Sequence, residues 1–181
     1  PCNSTSGWGV CSTNLAREIS QKTKIRYVSC EIDNFAVVKN PIELAFFKSR
    51  QFTDLEYLAR QKQYPIIQAL QHDLSCYLGD FDGSFKIGIC FSDRKIPKKC
   101  VEQSKKFDVI ISGSEWCRKL LEENDVKSKV ILQGIDPLLF NTHRSKKQFF
   151  EDDFVVFSGG KFESRKGQDV TINAFKVLQD R

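Results

Sequence analysis

The 181 residues are enough for one large domain, or for one domain and part of another. Hydrophobic residues make up 40% of the chain, enough for a substantial core, and no run of about 18 apolar residues is present to span a membrane. The net charge of +5 arises from local lysine and arginine clusters, which suit anionic partners such as phosphates or acidic lipids. We expect no nucleic-acid partner, because the sequence has no basic helix and no aromatic–basic stacking motif.

Both ends of the sequence are atypical of a complete protein. It begins with Pro1 rather than with methionine or a signal peptide, and it stops at Arg181, inside or just after a predicted helix. We therefore expect a fragment of a longer protein.

The seven cysteines are an odd number, and no two of them form a C-x-x-C pair. This usage predicts reduced thiols, a cytoplasmic location and no zinc site. Four of them lie in apolar stretches and are predicted core residues: Cys11, Cys90, Cys100 and Cys117.

Near its start the chain has a polar turn that closes on Gly7 and Gly9 and leads into a helix. Cys11, Leu15 and Ile19 share one face of that helix. Glycines before a helix form a candidate anion site, because the backbone can approach a ligand and the helix start offers free N–H groups. An ordinary glycine-rich loop is the alternative.

Strands and helices alternate along the rest of the chain. A capping box at Thr53 and Glu56 opens one helix, Pro97 stands at the start of a second, and Ser112 with Glu115 caps a third. Trp116, Leu120 and Leu121 are predicted on the inner face of the third helix. This alternation predicts an α/β fold with a doubly wound parallel sheet, Rossmann-like in type. The predicted strands cover residues 25–30, 66–70, 86–91, 108–111, 129–132 and 154–157.

Polar residues follow two of these strands, where α/β sheets hold their ligand groups. His72, next to Asp73, follows strand 66–70 and is a candidate acid, base or sugar-hydroxyl partner; a surface loop histidine is the alternative. Asp93 follows strand 86–91. Asp80 and Asp82 lack the remaining ligands of a calcium loop, so we expect no calcium site.

The strongest functional signal lies in residues 154–180. Four apolar residues predict a strand buried on both faces, and a loop with two glycines then carries Lys161, Arg165 and Lys166 before a helix begins after Gly167. A strand, a basic glycine loop and a helix start together form a phosphate site. The loop is not a P-loop, since G-x-x-x-x-G-K-[ST] is absent. The alternative is a surface turn with solvated lysines.

Three segments resemble the GT-B fold glycosyltransferases of the group 1, or family 4, type. The sequence SGSEWC at 112–117 is similar to that family's SEW helix start, and VILQGIDPLLF at 130–140 is similar to its exit from the first domain. The sequence GKFESRKG at 160–167 resembles its G-R-x-x-x-x-K-G loop, with lysine where the family usually has arginine. GWGV at 7–10 also looks like its first-domain glycine loop.

The resemblance implies two facing Rossmann-like domains. Residues 1–140 would form the acceptor-side domain, 141–153 a linker, and 154–181 the truncated start of the nucleotide-sugar-binding domain. The implied activity is transfer of a sugar from a nucleotide-sugar donor to a carbohydrate, lipid-linked or protein acceptor, with retention of configuration and without metal or cofactor. The family's glutamate pair would lie beyond residue 181, so we expect the fragment alone to be inactive.

The resemblance also implies site residues. His72 stands roughly where the family has a first-domain histidine and is the catalytic candidate, and Asp93 and Glu115 are placed on the acceptor or sugar side. The expected contacts to the donor diphosphate come from Lys161, Lys166, Gly160, Gly7 and Gly9.

Two other functions stay open. One is a non-catalytic Rossmann-type module that binds a nucleotide or a sugar. A nicotinamide oxidoreductase is disfavoured, because the third glycine of G-x-G-x-x-G is missing. Peripheral contact of the basic stretches with a membrane surface also stays open, although no amphipathic insertion helix is seen.

Overall fold

The computed structural model describes residues 7–28, 41–51, 54, 57, 62–92, 94–98, 100–135, 137, 141 and 154–179. The chain forms two compact units, Pro1–Ile135 and Asp136–Arg181. The predicted linker at 141–153 and the end of the predicted first-domain exit fall almost wholly outside the described residues.

A four-stranded parallel sheet forms the centre of the first unit. Its strands lie side by side in chain order, and the register pairs Leu70 with Cys90 and Cys90 with Ser112, so three strands end level with one another. The parallel α/β class predicted from the sequence is confirmed. The strands are β1 (Ile66–Leu70), β2 (Lys86–Cys90), β3 (Val109–Ser112) and β4 (Lys129–Val130).

Two strands differ slightly from the prediction. β3 begins and ends one residue later than expected, and β4 is limited to two residues. Ile131 still donates its N–H to the Ser112 carbonyl at 3.0 Å, but the side chains of Ile131 and Leu132 are exposed. The end of β4 therefore lacks the covering layer that a buried strand requires.

Four helices accompany this sheet among the described residues: α1 (Gly7–Ser20), α2 (Pro41–Arg50), α3 (Cys100–Ser104) and α4 (Glu115–Glu122). α3 starts three residues after Pro97, whose carbonyl accepts the N–H of Cys100 at 2.9 Å. The crossover from β1 to β2, residues 71–85, contains turns, irregular backbone and an antiparallel bridge of Cys76 with Leu70, but no helix, so the predicted strand–helix alternation is not complete.

The core of the first unit lies between the sheet and helices α3 and α4. Cys90, Cys100 and Cys117 are buried in it, which confirms three of the four predicted core cysteines, whereas Cys11 is half-buried. A smaller cluster joins Tyr27 and Phe47. The main core consists of Leu70, Leu74, Cys90, Ile96, Cys100, Ile110, Cys117, Leu121 and Val126.

The N-cap of α4 is Ser114, not the predicted Ser112. The Ser114 hydroxyl accepts the Cys117 N–H at 3.1 Å, whereas Ser112 is the last residue of β3 and is fully buried. Trp116 was predicted to face inward but is 53% exposed, because the buried face of this helix is centred on Cys117 and Leu121, one turn apart.

The glycines Gly7 and Gly9 lie within the first turn of α1, not in a loop before it. Gly9 is buried in the helix, at a place where the sequence predicts an open turn. The helix with Cys11, Leu15 and Ile19 is otherwise confirmed, although these three side chains are half-buried rather than fully enclosed.

Two predictions fall on segments that are only partly described. Of the predicted strand 25–30, Tyr27 forms a single parallel bridge with Gln51, and residues 29 and 30 lie outside the described part. Thr53 and Glu56 of the predicted capping box also lie outside it. The carboxylate of Asp54 accepts the N–H of Tyr57 at 2.8 Å, which is a capping contact.

The described part of the second unit contains a 3₁₀ turn, Ser164–Lys166, followed by helix α5 (Gln168–Gln179). The predicted buried strand at 154–157 is not formed. No strand pairs with this segment within the described residues, and its four side chains are exposed, Phe157 to 89%. Isolated strands are unstable because their backbone groups and apolar faces need partners.

Candidate functional site

The basic loop of the second unit, residues 160–167, is shaped by two glycines with left-handed backbone. Gly160 has φ of 122° and Gly167 has φ of 69°, conformations that favour glycine over other residues. Between them the 3₁₀ turn is closed by the N–H of Lys166 on the Glu163 carbonyl at 2.9 Å and by the N–H of Gly167 on the Ser164 carbonyl at 3.1 Å. The glycines therefore let the chain fold back tightly before α5.

Gln168, the first residue of α5, ties the two ends of the loop together. Its side chain is 5% exposed, and Nε2 donates to the Lys161 carbonyl at 2.9 Å. Its Oε1 is buried without a hydrogen-bond partner in the described structure. This residue was not predicted from the sequence, since a glutamine in a first helical turn is ordinarily a surface residue.

The two predicted phosphate-binding lysines lie on this loop and are both exposed. The stem of Lys166 passes over Gly160, where a β-carbon would lie 3.8 Å from Lys166 Cγ and Cδ. Arg165 differs, because its Nε lies 2.7 Å from Glu163 Oε2 in an ion pair. Within the described residues Lys161 and Lys166 have no carboxylate partner, so their charge is available to an anion.

The start of α5 adds main-chain donors and one opposing charge. Of its first four N–H groups, the last, that of Thr171, donates to the Gly167 carbonyl at 3.0 Å, and the other three have no acceptor among the described residues. Helix starts of this kind attract anions. Asp169 stands in the same turn and opposes an anion, so the two lysines must outweigh it.

His72 lies on a tight turn that follows β1. The N–H of Gln71 donates to the Ser75 carbonyl at 2.8 Å, and Leu74, with φ of 61°, anchors the turn in the core. The His72 side chain is exposed. The Asp73 carboxylate accepts both the N–H and the hydroxyl of Ser75, so it is committed to the turn.

The two predicted acceptor-side residues have different outcomes. Asp93 lies outside the described residues. Glu115 is exposed in the first turn of α4, where its Oε2 lies 2.7 Å from Nε of Arg118. The same arginine also pairs with Glu122. Glu115 is therefore held along the helix surface.

Cys90 and Cys117 are neighbouring cysteines in the core of the first unit. The Cys117 thiol donates to the Cys90 carbonyl at 3.8 Å and accepts the Ser92 N–H at 3.4 Å. The neighbouring Cys90 side chain, together with the Ser92 N–H, outweighs burial and lowers the pKa of Cys117. The bond to Cys117 and burial raise the pKa of Cys90. Both side chains are at most 2% exposed, so we assign the pair to the core rather than to a substrate site.

The predicted site residues fall into two groups. Gly7, Gly9, His72 and Glu115 belong to the first unit, and Gly160, Lys161 and Lys166 belong to the second. No group of three or more histidine, cysteine or acidic side chains is placed to hold a metal ion in the described part of the chain.

None of the described helices combines the length and the apolar character needed to cross a bilayer. No protein-family model, curated protein or solved structure matches this chain.

Proposed function

We propose that this chain carries part of a glycosyltransferase that moves a sugar from a nucleotide-sugar donor to an acceptor. Its two units would correspond to the two Rossmann-like domains of the GT-B fold, with a donor-side loop at 160–167. The observation that carries the proposal is this loop, in which two exposed lysines precede the start of a twelve-residue helix and have no carboxylate partner in the described part of the chain.

The proposed role of the loop follows from the charge that develops in the reaction. As the bond between the anomeric carbon and the diphosphate oxygen breaks, the electron pair stays on the leaving nucleotide and its negative charge grows. Fixed cations and helix N–H groups stabilise that charge more in the transition state than in the bound donor. Lys161 and Lys166 would supply the cations, and the first turn of α5 would supply the N–H groups.

These cations would perform the charge neutralisation for which many transferases use a metal ion. Lysine acts as a point charge, without the fixed two-pronged geometry of arginine, so binding at Lys161 would be less directional than in the family pattern. We include retention of anomeric configuration in the proposal only because the resemblance to the glycosyltransferase family implies it.

A second candidate function is a module that binds a nucleotide or a sugar without chemistry. The observation in its favour concerns the carboxylate next to His72, which is the catalytic candidate named for the first unit. Oδ1 of its neighbour Asp73 accepts the N–H and the hydroxyl of Ser75 in the turn, whereas a catalytic carboxylate characteristically orients the imidazole.

The test is calorimetric titration of the chain with nucleoside diphosphates, together with a coupled assay for diphosphate release from nucleotide-sugars that is carried out on the full-length protein. Lys166→Ala should weaken diphosphate binding about tenfold. Lys176→Ala, an exposed lysine near the other end of α5, should leave the affinity unchanged. Binding with acceptor-dependent release supports the transferase, binding without release supports the module, and equal effects of the two variants contradict both.

A further inference from the structure

Three aromatic side chains meet at the carboxyl edge of the sheet in the first unit. The rings of Trp8 and Phe91 have centroids 4.7 Å apart, and those of Trp8 and Tyr77 are 6.1 Å apart. We name Trp8, Tyr77 and Phe91 the aromatic platform. None of the three entered the sequence-based site.

The fold brings these residues together from three places. Phe91 directly follows β2, and the N–H of Tyr77 donates to the Ala69 carbonyl near the end of β1 at 3.3 Å. Trp8 stands in the first turn of α1. The carboxyl edge of a parallel sheet is where α/β proteins bind their ligands.

Tyr77 is held firmly but remains accessible. Besides the bond to Ala69, Nε2 of Gln68 donates to the Gly79 carbonyl at 2.8 Å, which fixes the backbone two residues further on. The Tyr77 ring is nevertheless 49% exposed. A rigid aromatic side chain that keeps half its surface exposed provides contact area to a ligand at little entropic cost.

The angles between the rings indicate the shape of the ligand. The Trp8–Tyr77 and Trp8–Phe91 planes are inclined at 62° and 56°. Inclined rings form a corner, whereas a flat nucleobase binds best between parallel rings or on a single open face. A puckered sugar ring has an apolar C–H surface that fits such a corner, and its partly positive hydrogens face the negative ring faces.

Polar groups near the platform are suited to the hydroxyls of a sugar. Tyr77 carries a phenolic O–H, and the exposed His72 lies on the turn that leads into the Tyr77 segment. Both side chains can donate and accept hydrogen bonds. Ligand sites typically combine apolar and aromatic walls with a few such groups.

We propose that the aromatic platform binds one sugar ring of the acceptor, which makes the acceptor of the proposed transfer a carbohydrate or glycoconjugate. This inference rests on the proposed function for the identity of the reaction. Stacking of a sugar ring on the aromatic platform can be measured whether or not the protein transfers a sugar.

The experiment titrates the chain with methyl glycosides of glucose, galactose and mannose and, separately, with uridine and adenosine. Trp8 fluorescence is observed in a Trp116→Phe background, so that a single indole reports. We expect the Trp8 fluorescence to change saturably with at least one glycoside. Tyr77→Leu should weaken that binding about three- to tenfold, whereas Tyr77→Phe should retain most of it.

Tyr57→Leu is the matched control, because Tyr57 is also 49% exposed but lies outside the platform. The inference is overturned if no glycoside produces a saturable change, if Tyr57→Leu and Tyr77→Leu act alike, or if the nucleosides bind as tightly as the glycosides. Glycoside binding without diphosphate binding would uphold the platform and remove the proposed function. Diphosphate binding without glycoside binding would remove the aromatic platform and leave the proposed function standing.

Discussion

The ring of Phe91 lies so close to Gly113 that a β-carbon on this glycine would fall 2.0 Å from Phe91 Cε1. The contact follows from the register, since Cys90 pairs with Ser112 and the two next residues stand side by side. Because residue 113 has no side chain, the Phe91 ring can lie over it, and in this position the ring contacts Trp8.

Gly113→Ala should displace the Phe91 ring, because a contact of 2.0 Å cannot be accommodated without movement. We expect a loss of about 1–3 kcal/mol in the free energy of unfolding, measured by urea denaturation, and a changed Trp8 emission. Gly134→Ala is the control, since a β-carbon there meets no atom within 4 Å. Equal stability of the two variants would contradict the packing described here.

Gln168→Met should weaken binding of a nucleoside diphosphate without unfolding the chain. Methionine has a similar length but cannot donate to the Lys161 carbonyl, so the loop loses its cross-connection. The loss of one such bond corresponds to about 0.5–1.5 kcal/mol, or roughly a two- to tenfold rise in Kd by calorimetry. Gln179→Met, an exposed position at the end of the same helix, should bind like the unaltered chain.

Asp80→Asn should lower stability in a pH-dependent way. Asp80 accepts Lys86 Nζ at 2.8 Å and Lys106 Nζ at 2.7 Å. Desolvation raises the pKa of Asp80, but the hydrogen bonds from Lys106 and Lys86 outweigh it and hold the pKa below its ordinary value of 3.8. A carboxylate with a lowered folded-state pKa adds stability above its unfolded pKa and loses it as the pH falls through the folded value.

The free energy of unfolding of the unaltered chain should therefore be about 0.5–1 kcal/mol larger than that of Asp80→Asn at pH 7. The difference is small because the charged groups are partly exposed. The difference should disappear as the pH is lowered below 3.8. Urea denaturation at pH 7 and at low pH measures it. Asp82→Asn, which breaks only an exposed pair with Lys62, should change little, and a pH-independent gap for Asp80→Asn would rule out this explanation.

Ser114→Ala should cost about 1 kcal/mol of stability, because the Cys117 N–H at the start of α4 would lose its acceptor. Ser114→Asn should retain most of the stability, since asparagine is also a good N-cap. Chemical denaturation followed by circular dichroism compares the three proteins. If the asparagine variant were as unstable as the alanine variant, the hydroxyl would act through something other than capping.

The sheet was predictable from sequence because its strands are short apolar runs bounded by turn residues. β1 was predicted with its observed bounds, and β2 to within one residue. The cap of α4 was harder, because Ser112 and Ser114 both precede Glu115 and only the strand register decides between them. Because Ser112 pairs with Cys90 as the last residue of β3, it cannot cap the helix, and Ser114 takes that position.

Tertiary contacts explain what sequence patterns missed. The apolar run at 154–157 has the composition of a buried strand, but composition alone does not supply a pairing partner. Gln168 and Tyr77 resemble surface residues in sequence, and their importance comes from bonds to carbonyls several residues away, Lys161 and Ala69. Lys161 and Lys166 were identified because a basic glycine loop before a helix is a local pattern.

The neighbour relations in the sheet also bear on how the first unit can form during synthesis. Among the described strands, each one after β1 pairs with the strand made immediately before it, so none of these four has to wait for a later strand to be inserted beside it. A crossover between adjacent strands keeps the paired segments nearer in sequence than one that skips a strand, which lowers the entropic cost of closing the loop. The nascent chain can therefore extend its sheet one strand at a time, from N-terminus to C-terminus, as it leaves the ribosome.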